Sequence, residues 1–255
     1  MTAMDKVASM LAPQPQPQPD AQPEAQPEAQ SEPPPEATGA ADQRDAVRAK
    51  PLLRGWLHLA WFEASLVLGT LALSRMHGGL RITALAIFEV SVTAMFGVSA
   101  LYHRGDWAAA SRQRLQRLDH AMIFLLIAGT ATAAFLLTTG GAFRIACLIA
   151  IWALTLTAGA IHMVWMDAPE LLVGSTFVGL GLVGGIALPA VWLHAGAAAG
   201  ALLLAGGLLY IAGAISYRRR RPNPYPSVFG YHEVFHVYVC AAATCQFIAI
   251  ALFIA

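Results

Sequence analysis

The stretch His232-Glu233-Val234-Phe235-His236 sets two histidines four residues apart. On a helix, positions i and i+4 share a face one turn apart, so both imidazoles can reach a single metal ion. Ser99 and His103 repeat that spacing in Ser99-Ala100-Leu101-Tyr102-His103, and Asp119 and His120 follow in Arg117-Leu118-Asp119-His120. Three imidazoles, His103, His232 and His236, would supply the protein ligands of a zinc site with an open fourth position. The same donors also suit several other transition metals. Asp119 could bind the metal directly, or act as general base toward a water that the metal activates. Ser99 would hydrogen-bond that carboxylate or that water. His120 follows Asp119 by one residue, about 100° around a helix, and so faces elsewhere.

The same HExxH spacing also suggests a zinc protease in which Glu233 is the base. Sites of that kind need a further ligand downstream, and the residues after His236 include no His, Asp or Glu. Glu233 also projects about 100° away from the His232 face. His58, His77, His162 and His194 fall near the ends of apolar runs, where a half-wetted imidazole needs no special role.

These residues must be positioned by a chain that is 57% hydrophobic and only 12% charged. Soluble domains carry about 25% charged residues, so the composition points to an all-α, polytopic membrane protein. From Leu52 onward, long apolar runs alternate with short polar joints. Seven spans are expected near 54–74, 82–103, 118–139, 142–164, 170–190, 196–217 and 230–254. Each is long enough to cross ~30 Å of hydrocarbon as a helix. The joints are Met76-His77-Gly78-Gly79, Gly140-Gly141, Asp167-Ala168-Pro169 and Pro222-Asn223-Pro224-Tyr225-Pro226. The expected domains are a disordered Pro/Gln/Ala/Glu-rich tail over 1–50 and a seven-helix transmembrane bundle over 51–255. The tail cannot bury enough apolar surface to offset the entropy of ordering it.

Basic residues cluster before span one (Arg44, Arg48, Lys50, Arg54), after span two (Arg104, Arg112, Arg114, Arg117) and in the run Arg218 to Arg221. The opposite joints carry only Arg75, Arg81 and Arg144. This asymmetry predicts a cytoplasmic N-terminus and, after seven spans, an external C-terminus in a cell (inner) membrane. His103, Asp119, His232 and His236 then all lie at cytoplasmic helix ends, at one membrane depth. The arginine run reads as a topology signal in contact with anionic lipid, so membrane lipids are expected partners and nucleic acid is not. Three cysteines in apolar stretches read as buried thiols rather than a disulfide framework. Gly181-x-x-x-Gly185 and Gly196-x-x-x-Gly200 would let helices approach closely inside the bundle. Glu63 and Glu89 fall within apolar runs, and Glu89 lies close to the face of His103, which suggests a polar interior leading toward the metal.

The stretches SALYH (99–103), LDHAMIFLLIAGTATA (118–133) and FGYHEVFHVYV (229–239), in this order, resemble the hemolysin III family. That family is related to the progestin and adipoQ receptors, the adiponectin receptors and the alkaline ceramidases. The resemblance covers roughly residues 54–255. It implies a zinc ion at the cytoplasmic side held by His103, His232 and His236, with Asp119 and Ser99 beside it. It further implies either hydrolysis of a lipid amide or ester, or a zinc-stabilised receptor without turnover; the family name reflects lysis, which keeps a pore-forming cytolysin as another alternative. Relatives often carry a histidine late in span seven, where this chain has Gln246.

Overall fold

The computed structural model describes residues 50–165 and 168–255. The tail expected over 1–50 lies outside the described residues except for Lys50, as does Asp167 of the joint after span four. Among the described residues the chain is all-α. The helices are α1 (Trp56–Arg75), α2 (Gly79–Arg104), α3 (Ala109–Thr138), α4 (Gly141–Val164), α5 (Glu170–Gly185), α6 (Leu188–Arg219) and α7 (Tyr231–Ile248). The last continues as a π-helical segment over Ala249–Ile254. Six of them, all but α5, are long and apolar enough to cross a membrane.

The bundle has the polarity of a membrane protein. Large apolar side chains such as Val67, Leu156, Leu182 and Leu193 point outward, each at least 60% exposed. Its centre is α2 against α3, where Leu85, Phe88, Val92 and Phe96 meet Phe124, Ala128, Ala133 and Phe135. Lipid tails are as apolar as leucine, so helices gain little by hiding leucines from them. Close association comes instead from small residues that let backbones approach. A Cβ on Gly129 of α3 would collide with the Ser91 side chain of α2. Polar pairs add to this: Thr130 donates to Gln246 (3.2 Å) and the Trp152 indole donates to Thr132 (3.0 Å). Gln246 thus ties α7 to α3.

The region expected as spans five and six folds differently in detail. The helix α5 has 16 residues and stops at Gly185, where the backbone turns through Ile186-Ala187 into α6. Within α6, Gly196 has φ 89° and ψ 170°, a conformation essentially restricted to glycine. The Trp192 ring lies against the position a Cβ on Gly200 would take. Eight residues of straight helix would separate these two by about 12 Å. The chain therefore bends sharply at Gly196, and α6 is in effect 188–195 followed by 197–219.

The backbone N–H of Leu52 donates to Ser227 (3.0 Å) and that of Leu53 to Val228 (3.1 Å), so the starts of α1 and α7 lie at the same end of the bundle. An even number of crossings must separate them. Helices α1 to α4 and residues 197–219 give five, so residues 170–195 supply the sixth and α7 is the seventh. Of the two glycine pairs, Gly181 and Gly185 face open space rather than a neighbouring helix, whereas Gly200 is used within the fold.

Candidate metal centre

Four helices converge near the end of the bundle where α1 and α7 begin. His103 is the penultimate residue of α2, Asp119 lies ten residues into α3, and His232 and His236 lie in the first two turns of α7. His103, His232 and His236 each offer a ring nitrogen within 4.8 Å of the others. The Nε2 atoms of His103 and His232 are 3.3 Å apart. Two ligands of a tetrahedral zinc at ~2.05 Å would stand ~3.3 Å apart, so the spacing and the three-imidazole donor set fit that ion. His103 and His236 are buried and His232 is half-buried, which leaves the cluster one partly open side.

Asp119 approaches this cluster, with Oδ2 3.6 Å from His103 Nε2. Asp119 is not among the three residues whose ligand atoms all lie within 4.8 Å of one another, so its carboxylate stands at the edge of the imidazole group. Ser99, one turn before His103 on the same face, interacts with the Asp119 carboxylate. Its hydroxyl also lies 2.8 Å from Nδ1 of His58. All five residues singled out by spacing are thus brought together.

The structure adds residues that spacing alone does not reveal. The ring of His58 stacks on His236 with centroids 3.6 Å apart and a 13° tilt. Through Ser99 on one edge and His236 on one face, His58 fixes both a polar partner and a candidate ligand. Glu233 is fully buried and turned away from the imidazoles. One of its oxygens accepts from the Gly230 N–H (2.8 Å), capping α7, and the other takes the guanidinium of Arg54. Gly55, between Arg54 and α1, has φ +79°, and a Cβ there would stand 2.8 Å from the Cβ of His103. The segment leading into α1 is therefore a backstop for His103 and a clamp on α7.

His120 faces away from the cluster, as the helical rotation predicts, and its Nδ1 pairs with Nε2 of His162 on α4 at 3.0 Å. His194 bonds its own helix at the carbonyl of Ala190, and His77 is exposed. Glu63 lies exposed on the outside of α1. Glu89 does not line a polar path to the centre: Val92 and Phe96, both fully buried, fill the helix face between it and His103. Its carboxylate turns to a groove beside α1 instead.

The protein family described as Haemolysin-III related matches residues 47–247, a stretch that holds every residue of the cluster. The chain is 29% identical over 171 residues to a protein of Bacillus subtilis (strain 168) named Hemolysin-3 homolog, spanning 66% of this chain and 76% of that one. It is 27% identical over 175 residues to Hemolysin-3 of Bacillus cereus, spanning 68% and 76% respectively. With seven crossings and a match over most of its length, the chain is an integral membrane protein that belongs to the Haemolysin-III related family.

Proposed function

We propose that the protein is a zinc-dependent hydrolase of lipid amides or esters whose centre faces the cytoplasm. The observation that carries this reading is the convergence of three imidazoles with a carboxylate held next to, not within, the ligand set. A purely structural metal site closes its coordination with four protein ligands, whereas a catalytic one keeps a position open. Zinc bound there would polarise a carbonyl and lower the pKa of water. Asp119 would take the proton of an attacking water and return it to the leaving amine or alcohol. Ser99 orients that carboxylate, and His58 holds Ser99 and His236 in register. The exposed apolar flanks of the bundle would admit the acyl chains while the polar end meets the scissile bond.

Asp119→Asn tests the role of the carboxylate. With a fluorescent ceramide and a fluorescent acyl ester as probes, this variant should keep its zinc yet lose turnover by about 10²- to 10⁴-fold, the range for removing a general base. Full activity in Asp119→Asn would contradict the assignment.

A second reading is a receptor in which the metal ties helix ends together. It is favoured by the clamp of Arg54 on Glu233 and the backbone bonds of Leu52 and Leu53, which tie the starts of α1 and α7 together. On that reading chelation lowers the melting temperature and neither probe is cleaved at any metal loading.

A further inference from the structure

Away from the histidine cluster, the outer faces of α1 and α2 leave a groove of about 830 Å³ open to the bilayer. Its walls are apolar, formed by Leu59, Phe62 and Leu66 on α1 and by Val98 and Leu101 on α2. Two charged residues break that pattern. Arg104 stands at the end nearest His103, exposed, with its guanidinium 4.0 Å over the Trp56 ring. Glu89 stands deep in the groove, only 4% exposed, and neither of its carboxyl oxygens makes a hydrogen bond. Gly69 leaves room for this carboxyl, since a Cβ there would collide with it. Of the hydroxyls in the groove, Ser65 donates to the Phe62 carbonyl (2.7 Å), Thr93 pairs with Ser65 (2.9 Å), and neither these nor Thr70 bonds the carboxyl.

An unsatisfied carboxyl at the depth of lipid chains is costly, and residues of this kind inside membranes mark sites that bind something. Water is scarce there, so the partner must arrive with the lipid. A hydroxyl both donates and accepts, and therefore satisfies a carboxyl in either protonation state. Fifteen residues of helix separate Glu89 from Arg104, about 22 Å along the axis. The arginine side chain spans part of that length, which puts the matching hydroxyl well down an extended chain and not at a head-group ester. Arg104 suits an anionic head. We propose that the α1–α2 groove binds a long-chain hydroxy-acyl lipid, its acidic head at Arg104 and its chain hydroxyl at Glu89. None of these residues is a candidate metal ligand, so the site stands independently of the hydrolase reading.

Binding of 12-hydroxystearate and of stearate to the detergent-purified full chain, by native mass spectrometry, tests this. The hydroxy acid should bind about tenfold more tightly to the wild type, as expected for one hydrogen bond to a buried polar group. Glu89→Leu should abolish the preference and Glu89→Gln, which keeps the hydrogen-bonding capacity, should retain it. Arg104→Gln should weaken both acids alike. Equal affinity for the two acids, no binding of either, or a preference that survives in folded Glu89→Leu would overturn the proposal.

Discussion

Glu233 sits between two candidate ligands and yet does not point at them. Its carboxylate caps α7 through Gly230 and pairs with Arg54, which separates its role from that of the similarly placed glutamate of zinc proteases. Glu233→Ala leaves the half-buried Arg54 guanidinium without its partner and frays the first turn of α7, and should cost about 2 kcal/mol, measured as a lowered melting temperature. Glu233→Gln keeps the size and one acceptor, so metal content and turnover should stay within a few-fold of wild type. Loss of turnover in Glu233→Gln with metal and fold retained would restore the protease-type base. The candidate ligands are legible in the sequence because i,i+4 spacing survives any error in span ends, and Asp119 because the basic joints put it at the same expected membrane depth. His58 is not, since its partners Ser99 and His236 lie on other helices and no spacing within α1 marks it.

At the scale of elements, α6 shows what hydropathy can and cannot read. Apolar runs predict that the segments near 170–190 and 196–217 exist, and both do. They do not show that the first is a 16-residue helix plus a short helical piece, because glycine and alanine there are equally apolar in either arrangement. The bend is carried by the positive φ of Gly196 and the fit of Trp192 over Gly200. Gly196→Ala should destabilise the bundle by about 1–3 kcal/mol, the cost of a side chain in that backbone region. Gly181→Ala, which meets nothing within 4 Å, should be neutral. Equal melting temperatures for both variants and wild type would remove the bend from the account. Glu89 marks a second limit: its helical phase relative to His103 is readable, but Val92 and Phe96 between them are what cut it off.

For the described residues as a whole, the joined starts of α1 and α7 make the number of crossings odd, so the start of α1 and the end of α7 lie on opposite sides. The arginine asymmetry then supports a cytoplasmic start. An alkaline phosphatase fused after Ala255 should be active in cells, and one fused after Arg221 inactive. The reverse pattern would place the histidine cluster outside. Both hydrolase and receptor readings depend on a metal at that end, and the metal content of detergent-purified protein tests it most directly. About one zinc per chain is expected in the wild type, and none in His232→Ala/His236→Ala. A wild type purified without chelator that holds no metal, or a double variant that keeps its full complement, would contradict the assignment of His103, His232 and His236 as ligands.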